Sequence, residues 1–342
     1  MIESSLLQSE PVALPERPSG RQVKSVAAYS LLVALMTAAH LLVFLPAALF
    51  HCAIRNGRRA AWTVALIGAG LGAVIVARAV PAAEAQFAWT YLATVVLAVM
   101  LPSLVAIPLV ERAEPFGRLV VYLLIGSMIG LAAVEIGART LFDISPFAAQ
   151  IEQAKTTSAE LTEFYRSKLP AEASAGLERW ADITVYVLPA GTLIEFSFMF
   201  ILSLLMLGRL NAWRELASQR NDSAAQGAWL FRNFALPDWV LFAFVLGGLT
   251  PLVSGLLQKI AANTLVVVAF LFVLQGLAIF RFLLVALGAG FAATMFGWLL
   301  LGFLTVTGVG PLLLGVVGLF DPFFDFRHPK KRKDDSHESH SD

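Results

Sequence analysis

Long apolar runs, separated by short polar stretches, dominate the pattern of this chain. A transmembrane helix needs about 20 apolar residues, and charged residues are scarce within the runs. The pattern therefore predicts an all-α, polytopic membrane protein. Its long predicted spans cover residues 60–78, 87–110, 118–138, 181–208, 238–257, 262–282 and 284–304, and a shorter one covers 308–320.

The first apolar run, residues 25–54, is too long for one simple span and contains the dipeptide Leu45-Pro46. Proline removes a backbone hydrogen-bond donor and restricts the residue before it. We therefore predict two short segments, 25–41 and 43–55, which enter the membrane and return, and which bring the total to ten. The alternative is a single span, which would place the N-terminus on the opposite side of the membrane.

Composition supports the lipid bilayer as the main surroundings of the chain. Hydrophobic residues make up 58% of the 342 positions and charged residues only 14%, whereas soluble proteins carry about 25% charged residues. A net charge of +1 does not indicate the strongly basic surface that nucleic-acid-binding proteins have. The single cysteine, Cys52, excludes an internal disulfide, and motifs of metal sites, phosphate loops and nucleophile elbows are absent. We therefore expect no enzyme activity, no cofactor and no bound metal.

The distribution of Lys and Arg predicts that both termini lie in the cytoplasm. Cytoplasmic loops of membrane proteins carry an excess of basic residues. With ten segments and the N-terminus inside, most of the 25 basic residues fall in cytoplasmic loops. The exceptions, several of which share one long loop, are Arg78, Arg139, Lys155, Arg166, Lys168, Arg179 and Lys259.

Polar segments divide the chain into five predicted regions. These are a disordered cytoplasmic tail (1–24), a front bundle of six segments (25–208), a cytoplasmic linker (209–237), a back bundle of four segments (238–320) and a basic, then acidic cytoplasmic tail (321–342). The boundaries follow the places where apolar runs give way to charged or proline-bearing sequence.

Residues 141–180 form the only sizeable external segment of the front bundle. Ser145-Pro146 is a good helix start, with serine as the cap and proline in the first turn. Apolar positions then recur at spacings of three and four, which predicts an amphipathic helix that breaks at Pro170. The segment either rests on the bundle or the lipid surface, or forms a lid over an outward-facing pocket.

Few ionisable or amide side chains lie at membrane depth, where polar groups are costly and often functional. Glu195 lies deep in its predicted span, and Glu135 lies near the outer end of another. Each carboxylate either contacts a ligand or has a packing role, in which Glu135 pairs with Arg139 one turn on. Asn263 and Gln275 share one helix and either cross-link helices or reach a pocket.

The closing run GLFDPFFDFR, residues 318–327, resembles the C-terminal signature of a bacterial family of predicted membrane proteins, domain of unknown function 2232. Stretches that agree with that family in order are Leu45-Pro46, Ile54-Arg55-Asn56-Gly57, Leu236-Pro237-Asp238-Trp239, Asn263 and Gln275-Gly276. The resemblance covers about 25–327 and implies the bacterial cytoplasmic membrane. The front half is distantly similar to the substrate-binding S-components of energy-coupling factor transporters, which implies small-molecule binding.

Charged residues at the end of the closing run suggest two roles. Asp321 and Asp325 lie one helical turn apart, and Arg327 follows at once. They form either a clasp at the end of the helix, with Arg327 paired to a carboxylate, or a docking point for a cytoplasmic partner.

Two functions are consistent with these features. The first is small-molecule binding or transport, with a pocket in the front bundle under 141–180 and with Glu195 and Glu135 as polar contacts. Glu195→Gln would then abolish stabilisation by the ligand. The second is a non-catalytic partner that assembles or regulates another membrane complex or oligomer through 209–237 and 321–333. An enclosed cavity near Glu195 favours the first function, and an exposed apolar flank on a solid helix core favours the second.

Overall fold

The computed structural model describes residues 19–81, 85–166, 168, 170–219 and 230–327, and these contain helices and no strand. The helices are α1 (Ser19–Ala38), α2 (Leu45–Asn56), α3 (Arg58–Ala79), α4 (Ala85–Thr94), α5 (Leu101–Glu111), α6 (Phe116–Phe142), α7 (Pro146–Arg166), α8 (Ala171–Tyr186), α9 (Leu188–Arg209), α10 (Asn211–Gln219), α11 (Val240–Gly248), α12 (Gly255–Ala286), α13 (Phe291–Val306) and α14 (Val309–Phe324). A π-helical segment, Val95–Met100, joins α4 to α5.

Parts of the predicted polar regions lie outside the described residues. They are residues 1–18 of the N-terminal tail, the centre of the linker at 220–229, and the C-terminal tail from residue 328 onward. The predicted tails and the middle of the linker therefore stay predictions.

Five helical stretches in the described part of the chain are long and apolar enough to cross a membrane. They are α3, the continuous stretch Ala85–Glu111, α6, α9 and α12. The pair α13 and α14, bent by 108° at a short break, supplies a sixth if it counts as one span. Two shorter apolar helices cover Gln22–Ala38 and Leu42–Asn56. The chain is therefore a multi-pass helical membrane protein, as the apolar pattern predicts.

The apolar run 238–257 does not form the spanning helix that its length predicts. Helix α11 covers only nine residues, Val240–Gly248, and a short 3-10 turn follows at Thr250–Leu252. Pro251 within that turn cannot donate a backbone hydrogen bond and so stops a regular helix. The next helix, Gly255–Ala286, is longer than the predicted 262–282 because apolar residues continue beyond both ends of that range.

The run 181–208 is interrupted as well. Helix α8 ends at Tyr186, and α9 starts afresh with Pro189 in its first turn, a position where proline is well tolerated. The side chain of Asn263 bridges this break. Its Oδ1 accepts a hydrogen bond from the backbone N–H of Ala190 at 2.9 Å, and its Nδ2 donates to the carbonyl oxygen of Tyr186 at 3.3 Å.

Two buried serines donate hydrogen bonds to backbone carbonyl oxygens that lie shortly before other prolines. A proline leaves a carbonyl in the preceding turn without its usual donor, and inside a bilayer another helix must supply one. Ser127 of α6 donates at 2.6 Å to the carbonyl of Ala98, four residues before Pro102. Ser203 of α9 donates to the carbonyl of Val43, three residues before the proline of α2. These bonds join helices that are distant in sequence.

The chain divides into two compact units, Met1–Val268 and Ala269–Asp342, with the boundary inside α12. In the first unit, α6 lies directly against the π-helical segment at Gly130. A Cβ added at Gly130 would lie 2.1 Å from the carbonyl oxygen of Leu97, a separation far below van der Waals contact. Glycine at this position is therefore what lets the two backbones approach.

One end of the first unit collects several connecting segments. Arg58 at the start of α3 donates to Glu111 at the end of α5, with Nε and Oε2 2.8 Å apart. Phe116 at the start of α6 packs edge to face on Phe234, with ring centroids 5.4 Å apart. The predicted topology assigns these segments to the cytoplasmic side, and the contacts place them at one end of the unit.

The segment 141–180, which the sequence predicts to be external, contributes to two helices, α7 and α8, with Pro170 directly before the second. Pro146 occupies the first turn of α7. The Oγ of Ser145 accepts a hydrogen bond from the backbone N–H of Ala148 at 3.1 Å, which caps the helix. The start of α7 is therefore anchored close to the end of α6.

Candidate functional site

A cavity of about 490 Å³ lies in the first unit, where α4, α6 and α9 meet the start of α7. Its apolar lining includes Phe87, Leu131, Phe147, Ala149 and Phe196. Its polar lining includes Gln86, Tyr91, Glu135, Gln150, Gln153 and Thr192. The cavity therefore combines aromatic surface with a small set of converging polar side chains.

Glu135 connects the wall of the cavity to the start of α7. Its Oε1 accepts hydrogen bonds from Nε of Arg139 at 2.6 Å and from the hydroxyl of Ser145 at 2.5 Å. Its Oε2 accepts a bond from the backbone N–H of Phe147 at 3.1 Å. We call Glu135, Arg139, Ser145 and the N–H of Phe147 the α7 clasp. A carboxylate suits this place because the first N–H groups of a helix lack partners within the helix.

The clasp compensates the one charged side chain among the described residues that line the cavity. Both carboxylate oxygens of Glu135 already accept hydrogen bonds, and the Arg139 guanidinium balances its charge. The Glu135 side chain is only 15% exposed, whereas Arg139 is 63% exposed. Glu135 therefore acts here as a structural acceptor that positions α7.

The other polar groups of the cavity are neutral. Gln86 on α4 and Gln150 and Gln153 on α7 make no side-chain hydrogen bond to any other described residue. The Tyr91 hydroxyl donates to the carbonyl of Thr37 at 2.7 Å, so its oxygen can still accept. These groups offer both donors and acceptors to a molecule in the cavity.

Glu195 does not line this cavity. It lies on the exposed face of α9 and has no hydrogen bond or ion pair to another described residue. The side chains that share its face are Phe198, Leu202 and Met206, which are 53%, 45% and 36% exposed. Thr192 and Phe196 of the same helix reach the cavity instead. The structure therefore separates Glu195 from Glu135.

Asn263 and Gln275 have different partners, although they lie on one helix. Asn263 bridges the break between α8 and α9, as described above. Gln275 is 2% exposed, and its Nε2 donates to Oδ2 of Asp321 at 3.0 Å. Both amides cross-link helices, which is one of the two roles that their sequence positions suggest.

Gln275, Asp321 and Arg327 form a buried polar cluster in the second unit, which we call the closing cluster. Nη2 of Arg327 lies 3.7 Å from Oδ2 of Asp321, and their side chains are 9% and 11% exposed. The Oδ1 of Asp321 is buried without a hydrogen-bond partner among the described residues. Burial lowers the pKa of the Arg327 guanidinium, and the carboxylates of Asp321 and Asp325 oppose that shift.

Close packing surrounds the closing cluster. A Cβ added at Gly276 of α12 would lie 2.0 Å from the carbonyl oxygen of Leu314, and one added at Gly318 of α14 would lie 2.0 Å from that of Phe272. Helices α12 and α14 therefore touch through their backbones next to Gln275. This arrangement is typical of a structural clasp at a helix end.

A second, more polar cavity of about 410 Å³ lies between α7 and α8. Its lining mixes charges of both signs, including Lys155, Glu163, Arg166 and Asp182. No group of three His, Cys, Asp or Glu side chains within the described ranges is placed to hold a metal ion. The cavity under α7 is therefore the stronger candidate site.

Several residues of the cavity carry no clear signal in the sequence. Gln86, Gln150 and Gln153 lie near the ends of helices or on an amphipathic surface, where glutamine is common. The helical period offers one clue. Residues 192 and 196 lie one turn apart, and the exposed residues 195, 198 and 202 follow an adjoining stripe of the helix.

Comparisons with known proteins support the membrane assignment. A family model described as predicted membrane protein (DUF2232) matches residues 26–322. No curated protein and no solved structure matches the chain. The similarity of the front half to transporter S-components therefore stays a prediction from the sequence.

Proposed function

The chain belongs to the DUF2232 family of predicted membrane proteins, and we propose that this multi-pass protein binds a small molecule in the cavity under α7. The observation that carries this proposal is the cavity itself, about 490 Å³. Ligand sites usually occupy about 300–1,000 Å³ and combine apolar walls with a few polar groups. The same cavity serves binding and transport, since a transporter must first bind its substrate.

Helix α7 acts as a lid in this proposal. Its first turn forms one wall of the cavity and is held by the α7 clasp. Release of that contact would move Phe147, Gln150 and Gln153 together, because they lie on one helix. No catalytic step is proposed, because Glu135 already accepts three hydrogen bonds and is therefore a poor general base.

We also propose ten membrane segments, with both termini in the cytoplasm of a bacterial cell. The distribution of basic residues supports this topology. The contacts Arg58–Glu111 and Phe116–Phe234 support it as well, because they join segments assigned to the same side. In this topology α13 and α14 are counted as two membrane segments. The chain enters the membrane along α13 and returns to the cytoplasmic side along α14.

Glu195 favours a second function, which is assembly with another membrane protein. A carboxylate on the exposed face of a membrane span is costly, and Glu195 has no partner among the described residues. A helix that carries a basic or hydrogen-bond-donating side chain would satisfy it. In this role the chain would assemble or regulate a membrane complex without catalysis.

The test of small-molecule binding is a thermal-shift screen of the purified protein in detergent, against uncharged and charged metabolites. A ligand that binds only the folded state raises the melting temperature. Ala149→Trp would fill the cavity, because Ala149 lines it. Its control is Ala148→Trp, since the neighbouring side chain is exposed and outside the lining.

A stabilising ligand whose effect disappears in Ala149→Trp and persists in Ala148→Trp would support binding in the cavity. A ligand that stabilises all three proteins equally binds elsewhere and would contradict the assignment. Co-purification of a membrane partner that Glu195→Gln abolishes would favour the assembly role.

A further inference from the structure

We propose that the cavity under α7 selects an uncharged ligand with an amide-like group, which both donates and accepts hydrogen bonds, on a compact apolar ring. The inference rests on the proposed function and names the chemical class of its ligand. It follows from the charge balance, the free amides and the aromatic surface of the cavity.

The charge balance argues against an ionic ligand. Among the described residues that line the cavity there is no Lys, Arg or His, and Glu135 is the single carboxylate. Glu135 is already neutralised by Arg139 and hydrogen-bonded through both oxygens. An anion or cation that entered would lose its hydration without gaining a counter-charge, which is strongly unfavourable.

Glutamine amides determine the kind of polar group that fits. Gln150 and Gln153 lie three positions apart on α7 and are therefore neighbours on its surface. Gln86 reaches the same cavity from α4. Each amide carries one acceptor oxygen and two N–H donors, and none is occupied by another described residue. A ligand group with one donor and one acceptor side by side would complement them.

Aromatic side chains define the apolar part. Phe87, Phe147 and Phe196 come from three different helices and face one cavity. Aromatic rings pack well on flat apolar groups in offset or edge-to-face arrangements. The volume of about 490 Å³ admits a molecule of one or a few rings.

The test uses three soluble probes that share one ring and differ in charge, namely benzamide, benzoate and benzylamine. Each is titrated by ligand-observed NMR into the full-length protein in detergent, with empty micelles as the blank. We expect saturable binding of benzamide and at least about tenfold weaker binding of both ions. Ala149→Trp should abolish the saturable component.

Variants of the glutamines test how the cavity recognises the probe. The double variant Gln150→Leu, Gln153→Leu should weaken benzamide binding about tenfold, because two neutral hydrogen bonds are lost. Gln258→Leu is the matched control, since Gln258 is an exposed glutamine on α12 outside the cavity. Gln150→Lys should shift the preference to benzoate, and Gln150→Glu should shift it to benzylamine.

The outcomes separate the two proposals. Binding of benzoate or benzylamine that matches or exceeds benzamide, and that Ala149→Trp removes, would overturn the ligand class and leave the cavity as a binding site. Equal affinity of the double variant and Gln258→Leu would also overturn it. Absence of any saturable binding that depends on the cavity would count against the proposed function itself.

Discussion

The α7 clasp in the first unit and the closing cluster in the second have similar chemistry in different surroundings. Each joins a carboxylate to an arginine near the end of a long helix. Glu135 borders a cavity of about 490 Å³ and holds the start of α7. Asp321 instead lies beside two helices whose backbones touch at Gly276 and Gly318.

Exposure explains why the two pairs should contribute differently. The Arg139 side chain is 63% exposed, whereas Arg327 is 9% exposed. An ion pair with an exposed partner contributes little to stability, but breaking a buried pair leaves a charge without compensation. We therefore expect changes at Asp321 to affect stability and changes at Glu135 to affect the position of α7.

The largest expected effect follows from Asp321→Ala. It would remove the carboxylate that pairs with Arg327 and that accepts the hydrogen bond from Gln275, which costs roughly 3 kcal/mol of unfolding free energy. Thermal unfolding in detergent measures the change, with the exposed Glu152→Ala as the control. An unchanged melting temperature would show that the closing cluster does not stabilise the second unit.

Gly318→Ala should have the next largest effect on the same cluster. The added Cβ would lie 2.0 Å from the carbonyl oxygen of Phe272, so α12 and α14 must separate. Overpacking of this kind costs about 2 kcal/mol. Gly302→Ala on α13 is the matched control, since nothing lies within 4 Å of its added Cβ. Equal melting temperatures of the two variants would contradict the close contact between α12 and α14.

Much of the fold is predictable from the sequence because the apolar period and the prolines act locally. Four of the long helices, including α3 and α6, follow directly from runs longer than a bilayer requires. Two runs are exceptions, since 181–208 is interrupted after Tyr186 and 238–257 forms only the short helix α11. The mean hydropathy of residues 238–257 does not register the effect of Pro251. This residue lacks a backbone N–H, and the regular helix ends before it.

The site is less predictable because its parts come from distant segments. The pair Glu135–Arg139 follows from their spacing of four residues. Gln275 and Asp321, which are 46 positions apart, meet only through the packing of two helices. The cavity is likewise a property of tertiary packing. Glu195 lies about two turns from the start of α9 because the helix begins at Leu188, and neither that break nor the exposure of the side chain is readable from the sequence.

Glu135→Gln should alter the clasp and the cavity more than global stability. A neutral amide accepts the bonds from Ser145 and the Phe147 N–H more weakly, and it loses the pairing with Arg139. We expect faster hydrogen exchange at the start of α7 and about tenfold weaker ligand binding, with little change in melting temperature. Glu152→Gln, which changes an exposed side chain of α7, is the control. Unchanged exchange at Phe147 would show that the clasp does not hold α7.

Glu195→Gln should have the smallest effect on the isolated protein, because Glu195 lies outside both polar clusters. Its side chain is exposed and is not part of the lining to which Thr192 and Phe196 contribute. Replacement should therefore change affinity for a cavity ligand by less than about twofold, since distant sites act independently. Titration of a ligand whose binding is blocked in Ala149→Trp measures this. A loss of affinity comparable to that of Glu135→Gln would mean that Glu195 reaches the ligand after all. Small-molecule binding would then extend to the face of α9 on which the assembly role depends.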